Sequence, residues 1–176
     1  MHFHNRGKRQ MIKQLLFVRG LPGSGKSYIA KNYKKIHFDS CIVCSTDDYW
    51  VRPDGVYDWN FELLGQAHSW NQNRVHGYLS AEQVTDWDTI IIVDNTNVNF
   101  QEMKPYIKMA LEYGFDIGFE EPETEWRYDV EECFKRNTHG VPHATILKMY
   151  QRWEDHETVT NKLMNYVKSA GMAESE

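Results

Sequence analysis

The sequence is short of several things that would each commit it to a class. Cysteine occurs only three times, an odd and sparse set that offers no disulfide framework and fits a reducing, cytoplasmic compartment. No apolar stretch approaches the ~20 residues that span a bilayer, so no membrane partner is expected. The basic opening MHFHNRGKRQ runs into polar residues, without a signal-peptide core or a small-residue cleavage site. The net charge of −5 means that the broad basic face needed to coat nucleic acid non-specifically is missing. A few cations in a cleft still suffice to grip a strand end. No internal repeat, dividing linker or N-K-x-D segment for base reading is present, which disfavours a repeat array and a GTPase switch.

What is present is enough for one folded unit. The chain has 176 residues, 41% of them hydrophobic and 14% aromatic. At that length a fold buries roughly 70% of the surface the unfolded chain exposes. We expect a loose basic extension over residues 1–12, one domain over 13–169 and a frayed acidic tail over 170–176.

Hydrophobic patterning alternates strands with helices. Gln14 to Val18, Cys41 to Ser45, Ile90 to Val93 and Phe115 to Glu120 read as strands. The run Ile90-Ile91-Ile92-Val93 is continuous, as in a strand covered on both faces. Helices are expected after Lys26 to about Lys35, from Phe61 to Leu79, Glu102 to Tyr113, Glu125 to Arg136, and from Pro142 to about Trp153. Such alternation implies right-handed crossovers and a parallel sheet between helices. The fold class is α/β, a small three-layer sandwich with a mobile helical lid.

Gly20-Leu-Pro-Gly-Ser-Gly-Lys26-Ser27 fits the G-x-x-x-x-G-K-[ST] pattern, and it lies between a strand and a helix. Its glycines let backbone N–H groups converge on phosphate oxygens, and the helix adds its positive end. Gly23, Ser24, Gly25, Lys26, Ser27 and Tyr28 are thus the expected ATP-binding residues. Lys26 would reach the terminal phosphates, and the Ser27 hydroxyl would ligate Mg²⁺. Asp94 closes the apolar strand and would emerge at the same sheet edge, there to orient a metal-bound water or to hydrogen-bond Ser27.

A kinase also needs a carboxylate by the acceptor hydroxyl and a cation over the transferred phosphate. Asp47 and Asp48 follow the second strand; adjacent residues point differently, so one is expected to face the cleft and the other to fasten a turn. Arg136, before the break at Gly140-Val141-Pro142, is the lid cation, with Lys135 and Arg152 as weaker alternatives. Trp50, Tyr57, Trp59, Trp70 and Arg74 offer a face for a base and a phosphate, and helical spacing puts Trp70 beside Arg74. Trp50 is preferred for stacking, because large aromatics on helices usually pack in the core. Cys41-x-x-Cys44 has no second pair, and residues three apart on a strand face opposite sides, so buried packing is expected. His139 and His143 lack the intervening acid of a helical metal motif; His139 reads as a lid histidine.

The segments RGLPGSGKS, STDDYW, AHSWNQNRV, IIVDNTN, EMKPYIKMALEYGF and KRNTHGVP, in this order, resemble polynucleotide-kinase-like P-loop proteins. The resemblance is to the kinase-like domain of NEDD4-binding protein 2 and its short relatives. More distantly it extends to phage 5′-polynucleotide kinase and to the P-loop domain of 2′,3′-cyclic-nucleotide phosphodiesterase. It covers about Leu15 to Trp153. It implies ATP-dependent transfer of the γ-phosphate to a 5′-OH of DNA or RNA, with Asp47 as general base and Arg136 as lid arginine. Two departures bear on the acceptor: Trp50 stands where the phage enzyme has an arginine, and Thr138-His139 where it has a second lid arginine. A nucleoside, modified base or small metabolite as acceptor, and a non-catalytic nucleotide-binding module, are the alternative readings.

Overall fold

In the computed structural model, residues 11–81 and 88–171 are described. The expected N-terminal extension up to residue 10 and the end of the tail, residues 172–176, lie outside them. The elements are β1 (Lys13–Val18), α1 (Lys26–His37), β2 (Cys41–Cys44), α2 (Leu64–Leu79), β3 (Thr89–Asp94), α3 (Phe100–Glu112), β4 (Asp116–Glu120), α4 (Val130–Arg136), α5 (His143–Gln151) and α6 (His156–Ser169). The four strands form one sheet in the order β2-β3-β1-β4, and every pairing is parallel.

Side-chain alternation on the strands builds the layers. Leu15, Phe17, Ile91, Val93 and Cys44 point to one face, where Val75 of α2, Met103 and Ile107 of α3 and Val159 of α6 cover them. Leu16, Val18, Ile90, Ile92 and Cys41 point to the other, beneath Ala30 of α1. The two cysteines of the C-x-x-C pair thus lie on opposite faces, both buried and free. Burial pushes the Cys44 thiol up to about 11, so it packs as an inert apolar group.

The helices depart from the sequence expectation at several points, and α2 starts only at Leu64, after a 3₁₀ turn over Phe61–Leu63. Helix α3 starts two residues early, because the Asn99 carboxamide oxygen accepts from Glu102 N while Glu102 Oε2 accepts from Val98 N, satisfying one donor of the first turn and one just before the cap. The helix expected over Glu125 to Arg136 is only α4; residues 125–129 turn, and Asp129 caps the helix by accepting from Glu132 N at 3.0 Å. Helix α6 was not anticipated. Asp155 caps it, and Val159, Leu163 and Tyr166, spaced i, i+4 and i+7, face the core.

One buried charge fastens the loop ends. Arg19, between β1 and the glycine loop, is fully buried. Its Nη1 pairs with Glu121 Oε1 at 2.7 Å, Nε donates to Asn97 O at 3.0 Å, and Nη2 donates to the Val98 and Glu154 carbonyls. The Trp153 ring lies under it at 4.6 Å. Burial lowers its pKa, and Glu121 opposes that shift. Removing one member of a buried pair strands the other. Arg19→Met is expected to lower unfolding free energy by about 3–5 kcal/mol, read by urea denaturation; a loss below ~1 kcal/mol would mean that the guanidinium is dispensable to the fold.

Candidate active site

The site lies where β1, β2 and β3 end. The chain leaves β1 through Gly20 and returns at Lys26 as the first residue of α1. Gly23 and Gly25 have φ of +81° and +106°, a left-handed geometry that turns successive N–H groups inward and favours glycine. Gly25 caps α1 without a side-chain hydrogen bond, and no acidic residue occupies the first turn. The positive helix end is thus available to an anion, and the chemistry of the loop fits a polyphosphate. The loop is held from outside: Trp126 Nε1 donates to Gly23 O at 3.3 Å, and the Thr124 hydroxyl to Ser24 O at 2.8 Å. A methyl group on Gly23 would come within 2.1 Å of the Cys133 carbonyl oxygen, so the start of the loop lies directly against α4.

Lys26 folds back and donates from Nζ to Leu21 O at 2.8 Å. Burial lowers its pKa, while the Asp94 and Asp47 charges raise it. Asp94 is pushed above the carboxylate range by burial; Lys26 pulls it down, and Asp47 and Asp48 push it further up. One ammonium thus serves a small group of carboxylates. Ser27, exposed on the first turn of α1, and Asp94 supply hard oxygens of the type that Mg²⁺ prefers. Among the described residues no cluster of three or more His, Cys, Asp or Glu side chains forms a metal cage. Mg²⁺ does not need one, since it keeps several waters and binds alongside substrate phosphates.

The strand ends are locked by two asparagines that sequence reasoning passed over. Asn95 Oδ1 accepts from Thr46 N at 2.9 Å, and Asn97 Nδ2 donates to both Val18 O and Val93 O. The signal was the run DNTN, where short amides can satisfy carbonyls at a chain reversal.

The adjacent aspartates divide as the alternation suggests. Asp47 Oδ1 accepts from the Tyr57 hydroxyl at 3.2 Å, and its Oδ2 lies 3.9 Å from His139 Nε2. Asp48 turns to α2 and pairs with Arg74 at 2.6 Å, while that guanidinium also donates to Val43 O and lies 5.2 Å from the Trp70 ring.

The two tryptophans exchange their expected positions. Trp50, preferred above for stacking a base, is only 3% exposed and packs edge-on against Tyr49 at 5.0 Å, so its face is closed to a ligand. Trp70 is 37% exposed, with Arg74 beside it. Large apolar area gains most from burial, and Trp50, ending the 3₁₀ turn Thr46–Trp50, had the inward position. Arg136 is parked beside the glycine loop, on the ring that donates to Gly23 O. It stacks on Trp126 at 4.1 Å and pairs with Glu132 at 3.3 Å. Lys135 is also paired with Glu132, Arg152 with Glu102 and His143 with Glu131. His143 and His139 therefore serve different partners.

A glycine loop passing from a central strand into a helix, with an acid at the end of the neighbouring strand, defines a P-loop nucleotide-binding protein of the kinase class. Residues 15–156 match the family model described as AAA domain, AAA_33, and the chain belongs to that P-loop kinase domain family. It is 38% identical over 140 residues to human NEDD4-binding protein 2, which covers 80% of this chain and 8% of that protein. Its fold is similar to a chain of the Pnkp1/Rnl/Hen1 RNA repair complex, with a TM-score of 0.61 and 20% identity over 89% of this chain and 48% of that one. It is also similar to Mycobacterium tuberculosis APS kinase CysC in complex with AMPPNP and APS, with a TM-score of 0.52 and 18% identity, covering 74% and 72% of the two chains. The chain thus spans a small part of the human relative and about half of the repair-complex chain. Among the described residues no helix is long and apolar enough to cross a membrane.

Three substitutions test this geometry. Gly23→Ala is expected to abolish binding of a non-hydrolysable ATP analogue and to lower the Tm. Gly55→Ala has a similar φ of +82° but nothing within 4 Å of the added methyl, so it is expected to cost only the ~1–2 kcal/mol of left-handed strain; equal effects would mean that the Gly23 contact is unimportant. Asp94→Asn is expected to raise the Tm of the nucleotide-free protein near pH 7. A carboxyl whose folded pKa is raised opposes folding once ionised. The gain should vanish below the ordinary carboxylate pKa, where Asp94 is neutral in both states; thermal melts across pH read it, and no gain at pH 7 would contradict the assigned burial cost.

Proposed function

We propose that this chain transfers the γ-phosphate of ATP to a hydroxyl of a nucleic acid, the 5′-OH of DNA or RNA. The observation that carries this reading is Asp47: a half-exposed carboxylate, electrostatically coupled to Lys26 of the glycine loop and held at one oxygen by Tyr57. The acceptor hydroxyl loses its proton to Asp47 as its oxygen attacks the γ-phosphorus. Gly23, Ser24, Gly25, Lys26, Ser27 and Tyr28 bind ATP, with Lys26 turning from Leu21 O towards the terminal phosphates. Ser27 and Asp94 hold Mg²⁺, which neutralises phosphate charge when bound. Arg136 leaves the Trp126 face to cover the transferred group, giving up its stack on that ring and a solvent-exposed ion pair with Glu132.

On the acceptor side Asp48 sets Arg74, and Arg74 lines the exposed Trp70. That pair fits a backbone phosphate beside a stacked base, and base stacking on an aromatic is worth about 1–3 kcal/mol. Kinship with a chain from an RNA repair complex supports a nucleic-acid end as acceptor. Three free buried thiols support a reducing, cytoplasmic setting.

Asp47→Ala is expected to cut label transfer from γ-labelled ATP to a 5′-OH oligonucleotide by about 10²–10⁴-fold while ATP-analogue affinity is retained. Transfer that survives Asp47→Ala would remove this residue from the chemistry. An oligonucleotide that is never labelled while free nucleosides are would replace the acceptor.

A further inference from the structure

Two separate segments converge on Asp47, one of them the turn between α4 and α5. Tyr57 arrives from the short hairpin in which Val51 bridges Tyr57 and Asp58 N donates to Trp50 O at 2.8 Å. Its hydroxyl takes Asp47 Oδ1. Burial and the neighbouring Asp47 raise its pKa, so it is held as a donor. His139 arrives from the turn between α4 and α5. Asn137 Oδ1 accepts from both His139 N and Val141 N, and its Nδ2 donates to Val141 O, while Gly140 reverses the chain at φ +66°. The imidazole rests tilted on the Tyr57 ring, 5.4 Å between centroids, with Nε2 at 3.9 Å from Asp47 Oδ2. Both carboxylate oxygens therefore have a side chain in front of them. The turn that carries His139 also touches the glycine loop, since a methyl on Gly23 would lie 2.8 Å from Asn137 N.

We propose that His139 is a positioning residue that guards Asp47: with Tyr57 on one carboxylate oxygen, the imidazole stands across the other until an acceptor displaces it, which suppresses attack by water on bound ATP. The proposal rests on the reading of Asp47 as the base. In transfer, the acceptor O–H proton passes to Asp47 Oδ2 as the acceptor oxygen bonds the γ-phosphorus. The bond from that phosphorus to the β–γ bridging oxygen breaks, and its electron pair leaves on ADP. Water in place of the acceptor gives the same balance, with inorganic phosphate as product. A P-loop enzyme with an idle, solvent-open base thus wastes ATP between acceptors. At 3.9 Å the imidazole is beyond hydrogen-bond distance of Asp47 Oδ2, so an incoming hydroxyl can push it aside.

The test measures phosphate release from Mg-ATP alone and label transfer to a 5′-OH oligonucleotide, for wild type, His139→Ala, His139→Gln, Asp47→Ala and the His139→Ala/Asp47→Ala double variant. His139→Ala is expected to raise the ratio of hydrolysis to transfer by about tenfold, and His139→Gln, which refills the space with a polar side chain, to restore most of it. The double variant should hydrolyse no faster than Asp47→Ala. A ratio unchanged in His139→Ala, or raised equally without Asp47, overturns the guard. Wild-type protein that hydrolyses ATP through Asp47 but labels no 5′ end overturns the proposed acceptor and leaves the guard to be judged on the hydrolysis arm alone.

Discussion

The guanidinium of Arg19 holds the molecule to its arrangement, because it is a full charge without solvent and every donor must be met from within. It is met by Glu121 after β4, by the Asn97 and Val98 carbonyls after β3, and by the Glu154 carbonyl between α5 and α6. These contacts come from three places along the chain, which Arg19 brings together. Burying an ion costs several kcal/mol before its partners compensate, so a misassembled edge would leave that cost unopposed. Arg19 also immediately precedes Gly20. The same residue that ties the strand ends thus fixes where the phosphate loop begins.

The chemistry follows from that edge. Parallel strands deliver Asp94, Asp47 and the glycine loop to one side of the sheet, as open α/β folds do. Asp94, Asp47 and Lys26 share this edge, while Asp48 beside them is paired with Arg74. Burial moves Lys26 down and Asp94 up from their ordinary values, their mutual attraction opposing both shifts, and perturbed groups of this kind concentrate at functional sites. Outside the cleft the cations are parked: Arg136 on Trp126 and Glu132, Arg74 on Asp48 and Trp70. Each is a partly exposed contact.

The sheet was legible because its signal is local. The apolar runs of β1, β2 and β3 name their own strands, and the phosphate-loop motif is complete in eight consecutive residues. The division of labour between Asp47 and Asp48 was legible as a rule, since neighbours point apart, but which oxygen meets which partner depends on Tyr57, His139 and Arg74, distant in sequence. Trp50 and Trp70 were read the wrong way round for a related reason. Both are aromatic and both flank the site; their exposure depends on how the 3₁₀ turn after β2 rests on α2, which no short window encodes. Helix α6 could have been found from Asp155 and the spacing of Val159, Leu163 and Tyr166. Arg19 could not: nothing local distinguishes a buried arginine from a solvated one.

The account's central claim is that the phosphate held by the glycine loop is handed to a nucleic-acid end. The direct measurement incubates the protein with γ-labelled ATP, Mg²⁺ and a panel of 5′-OH DNA and RNA oligonucleotides, nucleosides and hydroxymethyl-base DNA, and maps where the label lands. The account predicts label on the 5′-terminal oxygen of unmodified oligonucleotides. Label confined to nucleosides or modified bases, or ATP bound with no label transferred to any acceptor, would contradict it.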